Sequence, residues 1–312
     1  MAKTKKGAFA GLALHEDSLR YIELAHEGAG FKVLRQELIP LPQGCISRES
    51  IQQIDMLERA FSDLRGQLGK MTKPVVLGVP SRDVTLRLVD YPRMDMRDIQ
   101  DALSLEFENF FPYPWAEAAS SLAEVEVPPG GQGGDLNTTI LVATSRLSYI
   151  NDLLRMASRA GLHPAAIEPM NVAFFRAAVG MAARGDAYFV VGVEPDVTNI
   201  TLGYRDNGIL FRSTLVDLRA AGADMEQAYM TIVRDVQNTM VFAGNQYRGL
   251  VVSHLVLGGD VSGDPQLKSY LESGAGLTVT FADPWAAWQI RSDMGSAPGY
   301  DAAIGLALRD MI

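Results

Sequence analysis

Apolar residues open the chain as an unbroken run and then begin to alternate with polar ones. Residues 8–14 read as a buried strand and 18–24 as an alternating second strand. Residues 31–38 form a third, beyond the turn Glu27-Gly28-Ala29-Gly30. The period then lengthens. Ile51, Ile54, Leu57, Phe61, Leu64 and Leu68 recur at three and four, so 50–68 is predicted to be an amphipathic helix. The continuous run Val75-Val76-Leu77-Gly78-Val79-Pro80 reads as a strand buried on both faces. The same order returns later in the chain. Strands are predicted over 188–193, 197–204 and 209–215. The last two flank Arg205-Asp206-Asn207-Gly208, an Asn-Gly hairpin signal. A helix over 224–246 and the strand-turn Leu255-Val256-Leu257-Gly258-Gly259-Asp260 complete the copy. Val75 and Leu255 lie 180 positions apart, and Ala13 and Gly192 lie 179 apart. One order of elements repeated at one offset points to a duplicated, two-lobed α/β architecture.

A module over 84–170 separates the copies. Its first strand, 84–91, carries Leu86 and Leu88 on a different face from Thr85, Arg87 and Val89. A helix over 95–110 has Asp95 and Asp98 at its positive end. It stops at Phe110-Phe111-Pro112-Tyr113-Pro114-Trp115, where the prolines cannot continue it. Strands 120–127 and 137–144 are joined by a glycine-rich connection over 128–135. A helix over 146–160 ends at Gly161, and strand 165–168 leads into a helix over 171–183. Residues 300–310 read as a closing helix with Ala303, Ile304, Ala307 and Leu308 on one side. The expected divisions are 7–83 for the first lobe, 84–170 for an inserted α+β subdomain, 171–186 and 298–312 for helices returning to the first lobe, and 187–297 for the second lobe.

Composition narrows the function. A net charge of −9 argues against a nucleic-acid binder, which needs a basic footprint against phosphate. One cysteine, Cys45, excludes an intrachain disulfide and fits a reducing, cytoplasmic compartment. No window approaches the roughly 18 uninterrupted apolar residues of a spanning helix. The run Val172-Ala173-Phe174-Phe175 is broken at once by Arg176. His15, His26, His163 and His254 form no pair at metal-ligand spacing, so no metal site is expected. There is no Gly-x-Ser-x-Gly elbow and no Gly-x-x-x-x-Gly-Lys-Ser/Thr loop, and no catalytic residue is assigned.

Several stretches carry a resemblance. The run from Gly11 to Leu24, Gly-Leu-Ala-Leu-His-Glu-Asp-Ser-Leu-Arg-Tyr-Ile-Glu-Leu, resembles the opening of the actin-like PilM family of type IV pilus assembly. Val75 to Arg87 looks like that family's entry into its inserted subdomain. The stretch Leu105-Glu106-Phe107-Glu108-Asn109-Phe110-Phe111-Pro112-Tyr113-Pro114 is similar to its helix ending in aromatic and proline residues. Ile167-Glu168-Pro169-Met170-Asn171-Val172-Ala173 resembles its return to the core, and Ala303-Ile304-Gly305-Leu306-Ala307-Leu308-Arg309 its closing helix. The resemblance implies an actin-like, ribonuclease H-like duplicated fold with an inserted α+β subdomain. It also implies a cytoplasmic protein docked on the inner membrane through the short N-terminal tail of a PilN-like single-span partner, among other pilus platform proteins, with self-association a further expectation.

The resemblance further implies ATP held by two hairpins, each entered through Asp-x-Gly, where Asp orients the metal and Gly admits phosphate to the backbone. Here the sequence departs from the pattern. The Asp and Gly positions are Ala13 and His15 in the first hairpin, and Gly192 and Glu194 in the second. Glu16, Asp17, Glu194 and Asp196 place negative charge where phosphate would sit. The residual nucleotide residues are Ser18, Gly258 and Gly259, and the expectation is an adaptor without ATP or magnesium. The expected partner-binding residues are Phe111, Tyr113 and Trp115 with Leu86 and Leu88, lining a groove for an extended peptide. An ATP-binding PilM with atypical phosphate loops is one alternative. A type II secretion L-type cytoplasmic scaffold is another, though it is expected to run on into a membrane span, which does not follow here.

Overall fold

A computed structural model describes residues 9–47, 50–69, 71, 73–129, 137–179, 181, 187–216, 218, 224–260 and 263–309. The N-terminal lysines and most of the glycine-rich connection at 128–135 lie outside them. The chain opens with β1 (Ala10–Leu14), β2 (Ser18–Glu27), β3 (Gly30–Pro40), the short β4 (Ile46–Ser47) and β5 (Ser50–Ile51), α1 (Ile54–Leu68) and β6 (Val75–Val79). It continues through β7 (Thr85–Pro92), α2 (Met96–Glu106), β8 (Ala118–Glu124), β9 (Asn137–Arg146), α3 (Leu147–Arg159), β10 (Pro164–Pro169) and α4 (Met170–Val179). Then come β11 (Ala187–Val193), β12 (Val197–Tyr204), β13 (Asn207–Leu215), α5 (Met225–Gln246) and β14 (Val252–Gly258). The last elements are α6 (Pro265–Ala275), β15 (Thr278–Phe281), α7 (Pro284–Ala287), β16 (Ile290–Arg291) and α8 (Asp301–Ala307).

Two compact units result. The first comprises Met1–Asp83, Ser148–Met181 and Asp283–Ile312, and the second Val84–Leu147 and Ala182–Ala282. The main sheet of the first runs β10-β6-β1-β2-β3-β16, and that of the second β13-β12-β11-β14-β15. Apart from the two-residue β16, these are one topology. An antiparallel meander of three strands is followed by two strands parallel to its first. Even the register matches, since Ala13 lies beside Gly78 in one sheet and Gly192 beside Gly258 in the other.

In the first unit the sheet is closed by α4 and α8, which bury Ala173, Ala177, Ala303, Ile304 and Leu306 against Ile22, Leu24 and Val76. The helices approach so closely that a Cβ at Gly305 would lie 1.8 Å from the Ala173 carbonyl oxygen, which is why a side chain is absent there. The second unit is built on the stripe Tyr229, Ile232, Val233, Val236 and Ala243 of α5, packed on Phe189, Val191, Ile200 and Leu257. The inserted sheet, ordered β7-β9-β8, packs one face on α2.

The structure draws some boundaries differently. Ile51, which matches the helical stripe, pairs with Ile46 in a two-strand hairpin, so α1 begins only at Ile54. Residues 148–170 group with the first unit rather than with the inserted module, because β10 pairs in parallel with β6. Residues 283–297 also group with the first unit, since β16 pairs with Phe31 and Lys32 of β3.

Candidate functional site

The hairpins β1–β2 and β11–β12 are where an actin-like chain would hold phosphate. In the first, the His15 N–H donates to the Ser18 carbonyl at 2.9 Å, and the Asp17 carbonyl accepts from the Leu41 N–H at 2.6 Å. In the second, the Glu194 N–H donates to the Val197 carbonyl at 2.9 Å, and the Asp196 carbonyl accepts from the Val216 N–H at 3.1 Å. The same turn is built twice, with Asp at the matching third position and different side chains at the others. Neither turn has a residue at positive φ, so neither backbone adopts a conformation that calls for glycine.

The side chains of the first hairpin are engaged with one another. Ser18 is buried; its hydroxyl donates to Asp17 Oδ1 at 2.8 Å and accepts from Arg20 Nε at 3.1 Å. Arg20 is itself buried and donates to the Gly299 carbonyl at 2.6 Å. Glu16 lies 3.8 Å from Arg82, and Asp17 lies 3.7 Å from Arg20. The two carboxylates therefore already meet the guanidinium groups nearest the turn, and a phosphate brought there would meet like charge.

Gly258 ends β14, and Gly259 turns the chain out of it at φ +92°. A Cβ at Gly259 would fall 2.6 Å from the Val193 carbonyl oxygen and 2.7 Å from its nitrogen. The backbone of β11 fills the space next to this glycine, which accounts for the residue without a ligand. Among the described residues no group of three or more His, Cys, Asp or Glu side chains is placed to hold a metal ion.

The five expected partner-binding residues fall in two places. Phe111 and Tyr113 are buried, and Trp115 is half-buried, in the core between α2 and the inserted sheet. Their hub is Phe107, only 1% exposed, which stacks at 4.5 Å on Phe111, 6.1 Å from Tyr113 and edge-on to Trp115 at 5.1 Å. Tyr113 donates to the Thr144 hydroxyl at 3.3 Å and carries Arg146 over its ring. These aromatics hold the module together.

Leu86 and Leu88 lie on the other face of β7. With Arg87 they border a groove of about 360 Å³ whose remaining walls are Ile209, Leu210 and Phe211 of β13 and Phe242, Asn245 and Gln246 of α5. The structure thus separates Leu86 and Leu88 from the aromatic group. Asp90, on the same face of β7, acts with burial, the larger cause, to push the Tyr247 hydroxyl at the end of α5 up to about 12. Phe242 is 51% exposed, next to the exposed Val241. Neither residue was singled out from the sequence. The available signal is two apolar residues lying off the buried stripe of an amphipathic helix.

Comparison with known proteins places this geometry. The family described as "Type IV pilus assembly protein PilM" matches residues 11–194. No curated protein sequence matches the chain. The solved structure of a PilM-PilN type IV pilus biogenesis complex is similar at TM-score 0.82 and 18% identity, covering 98% of this chain and 99% of that one. A Bacteroides thetaiotaomicron protein with an actin-like ATPase fold is similar at TM-score 0.55 and 12% identity, covering 96% of each chain. So is the cytoplasmic domain of EpsL, an inner membrane component of the type II secretion system of Vibrio cholerae, at TM-score 0.55 and 11% identity, covering 96% of this chain and 94% of that one. At these identities the likeness establishes the fold, which is actin-like.

Proposed function

The chain belongs to the family of the type IV pilus assembly protein PilM, and from that premise we propose that it is an adaptor of the pilus inner-membrane platform that grips the cytoplasmic N-terminal tail of a PilN-like protein. Its place is then cytoplasmic and peripheral at the inner membrane. Among the described residues no helix is long and apolar enough to cross a membrane; in this reading the partner supplies the attachment. The observation that carries the reading is the groove between β7 and β13. Its walls are mostly apolar, and Phe242 stands half exposed at its side. A tail seated there buries these residues, and burial of an aromatic anchor is the usual source of affinity in such contacts. The solved relative, a complex of PilM with PilN, supports the choice of partner.

The reading includes no catalysis and no nucleotide. Supporting this are the missing acids at positions 13 and 192, the Ser18 hydroxyl engaged by Asp17 and Arg20, and the Gly259 turn occupied by β11. Phosphoryl transfer is almost entirely positioning of metal, water and phosphate, and the residues for that positioning are not in place.

Site variants test the reading. A synthetic peptide of the PilN-like tail, titrated by fluorescence anisotropy, should bind the wild type and bind Leu86→Lys and Phe242→Ala about tenfold more weakly. Trp115→Ala should lower the melting temperature and leave the affinity within about twofold, since Trp115 packs inside the module. Loss of binding in Trp115→Ala, with Leu86→Lys unaffected, would move the tail to the aromatic group.

A further inference from the structure

We propose that the outer edge of β3 is a self-association surface, on which a second copy of this chain pairs strand to strand about a two-fold axis at Gln36. This surface lies in the first unit and does not involve the groove of Leu86 and Leu88. β3 is the last long strand of its sheet. Beyond it lies only β16, which pairs at Phe31 and Lys32 and stops there. At the other end Pro40 closes the strand and has no N–H to offer. Lys32 and Pro40 are equally far from Gln36 along the chain, so the open stretch 33–39 is centred on Gln36. Among the described residues no backbone group of this stretch bonds outside the β2 ladder. Such an edge presents unpaired N–H and C=O groups, a ready template for another strand, and natural sheets cover or blunt it. Here two leucines stand exposed on it, Leu34 at 44% and Leu38 at 49%.

The order of residues along the strand selects the occupant. Two identical edges that pair in a closed dimer are antiparallel, and each residue meets the one equally far beyond the axis. With the axis at Gln36, Arg35 opposes Glu37 of the second copy, Leu34 opposes Leu38, and Val33 opposes Ile39. Opposite charges and apolar pairs placed directly across a ladder stabilise it, whereas like charges there destabilise it. Moving the axis one residue sets Glu37 against Glu37 in one direction and Arg35 against Arg35 in the other. Moving it half a residue sets a leucine against Arg35 or against Glu37. One register therefore satisfies both charge and apolar matching. Arg35 is 34% exposed and lies 3.7 Å from the buried Glu23, and its guanidinium has donors enough for a second carboxylate. Leu34 is the one residue of β3 without a partner in β2, because the register slips between Glu23 and Leu24; from Arg35 to Pro40 the ladder is regular. The central pairs thus fall on regular strand, and the bulge keeps the shared ladder short. A short ladder makes a weak dimer, in which the sheet of one copy continues into the sheet of the next.

Sedimentation velocity of the full chain, across a series from low to high micromolar, should show a monomer passing into a dimer. Glu37→Arg sets two arginines against each other and should weaken that dimer about tenfold or more. Oxidation with copper-phenanthroline then reads the register. Gln36→Cys should cross-link to itself, since Cα atoms paired across antiparallel strands lie about 4.5–5.5 Å apart, within disulfide reach. Leu34→Cys and Leu38→Cys should not cross-link alone and should do so when mixed. Wild type, whose Cys45 is buried, gives the background. Circular dichroism confirms each variant folded, and the mixed cross-link involves no change of charge, so it stands as an independent reading. A chain that stays monomeric through the series overturns the proposal. A dimer unchanged in Glu37→Arg, or Leu34→Cys alone cross-linking as well as the mixture, places the contact elsewhere and overturns it too.

Discussion

Gly259→Ala separates a glycine kept by the fold from one kept for a ligand. Gly259 sits at φ +92°, where an L side chain is strained; left-handed backbone costs a non-glycine residue about 1–2 kcal/mol. The new Cβ would also lie 2.6, 2.7 and 2.9 Å from the carbonyl oxygen, nitrogen and carbonyl carbon of Val193. All three belong to the backbone of β11, whose strand is paired on both sides, so no flexible side chain can yield. Overpacking of this kind costs about 1–3 kcal/mol. Together the two effects amount to roughly 2–5 kcal/mol, and the melting temperature should fall by about 5–15 °C. Differential scanning calorimetry of the two proteins measures it. A variant that melts within 1 °C of the wild type refutes the reasoning, because the space beside Gly259 would then be open to a ligand.

Two further outcomes follow from the packing and the charges. Phe107→Ala empties the centre of the aromatic group and should destabilise the protein by about 3–5 kcal/mol in urea unfolding; a loss below about 1 kcal/mol would contradict its place as hub. Asp264 caps α6 and accepts from the Tyr229 hydroxyl at 2.6 Å and the Gln266 N–H at 2.7 Å, and the Tyr229 bond first, then the backbone bond, hold its carboxyl below the usual carboxylate range. A depressed folded value stabilises above the free Asp pKa of about 3.9 and is lost as pH falls through the lower folded value. The melting-temperature gap between wild type and Asp264→Asn should accordingly be widest above pH 5 and close below about pH 4, whereas a gap constant across that window would remove the carboxylate from the account.

Much of this architecture could be read from spacing alone, and particular residues show why. The duplication was legible because it rests on local signals, namely the apolar runs at Leu12 and Val190, the Asn207-Gly208 turn and the long stripe of α5. Where tertiary context decides, the pattern misleads. Ile51 continues the stripe of α1 yet pairs with Ile46, and Ile290 joins β3 across most of the chain through a strand of two residues. α6 is not among the elements predicted from spacing, although Asp264-Pro265 marks its start and Gly276 its end. In the candidate site, Leu86 and Leu88 stood out by alternation, and the altered hairpins by the residues at 13, 15, 192 and 194. The groove itself was not legible, because its second wall is β13, more than a hundred residues further on. Aromatics as dense as those at 107–115 suit a core as well as a groove, and the structure uses them to fill the core of a small module.

The central claim is an adaptor that grips a peptide without help from a nucleotide. Isothermal titration of the PilN-like tail peptide into the full chain, with and without Mg-ATP, tests it most directly. The account predicts saturable binding with one dissociation constant under both conditions, and no heat from Mg-ATP alone. Binding that appears only with Mg-ATP, or no binding of the tail at all, would contradict it.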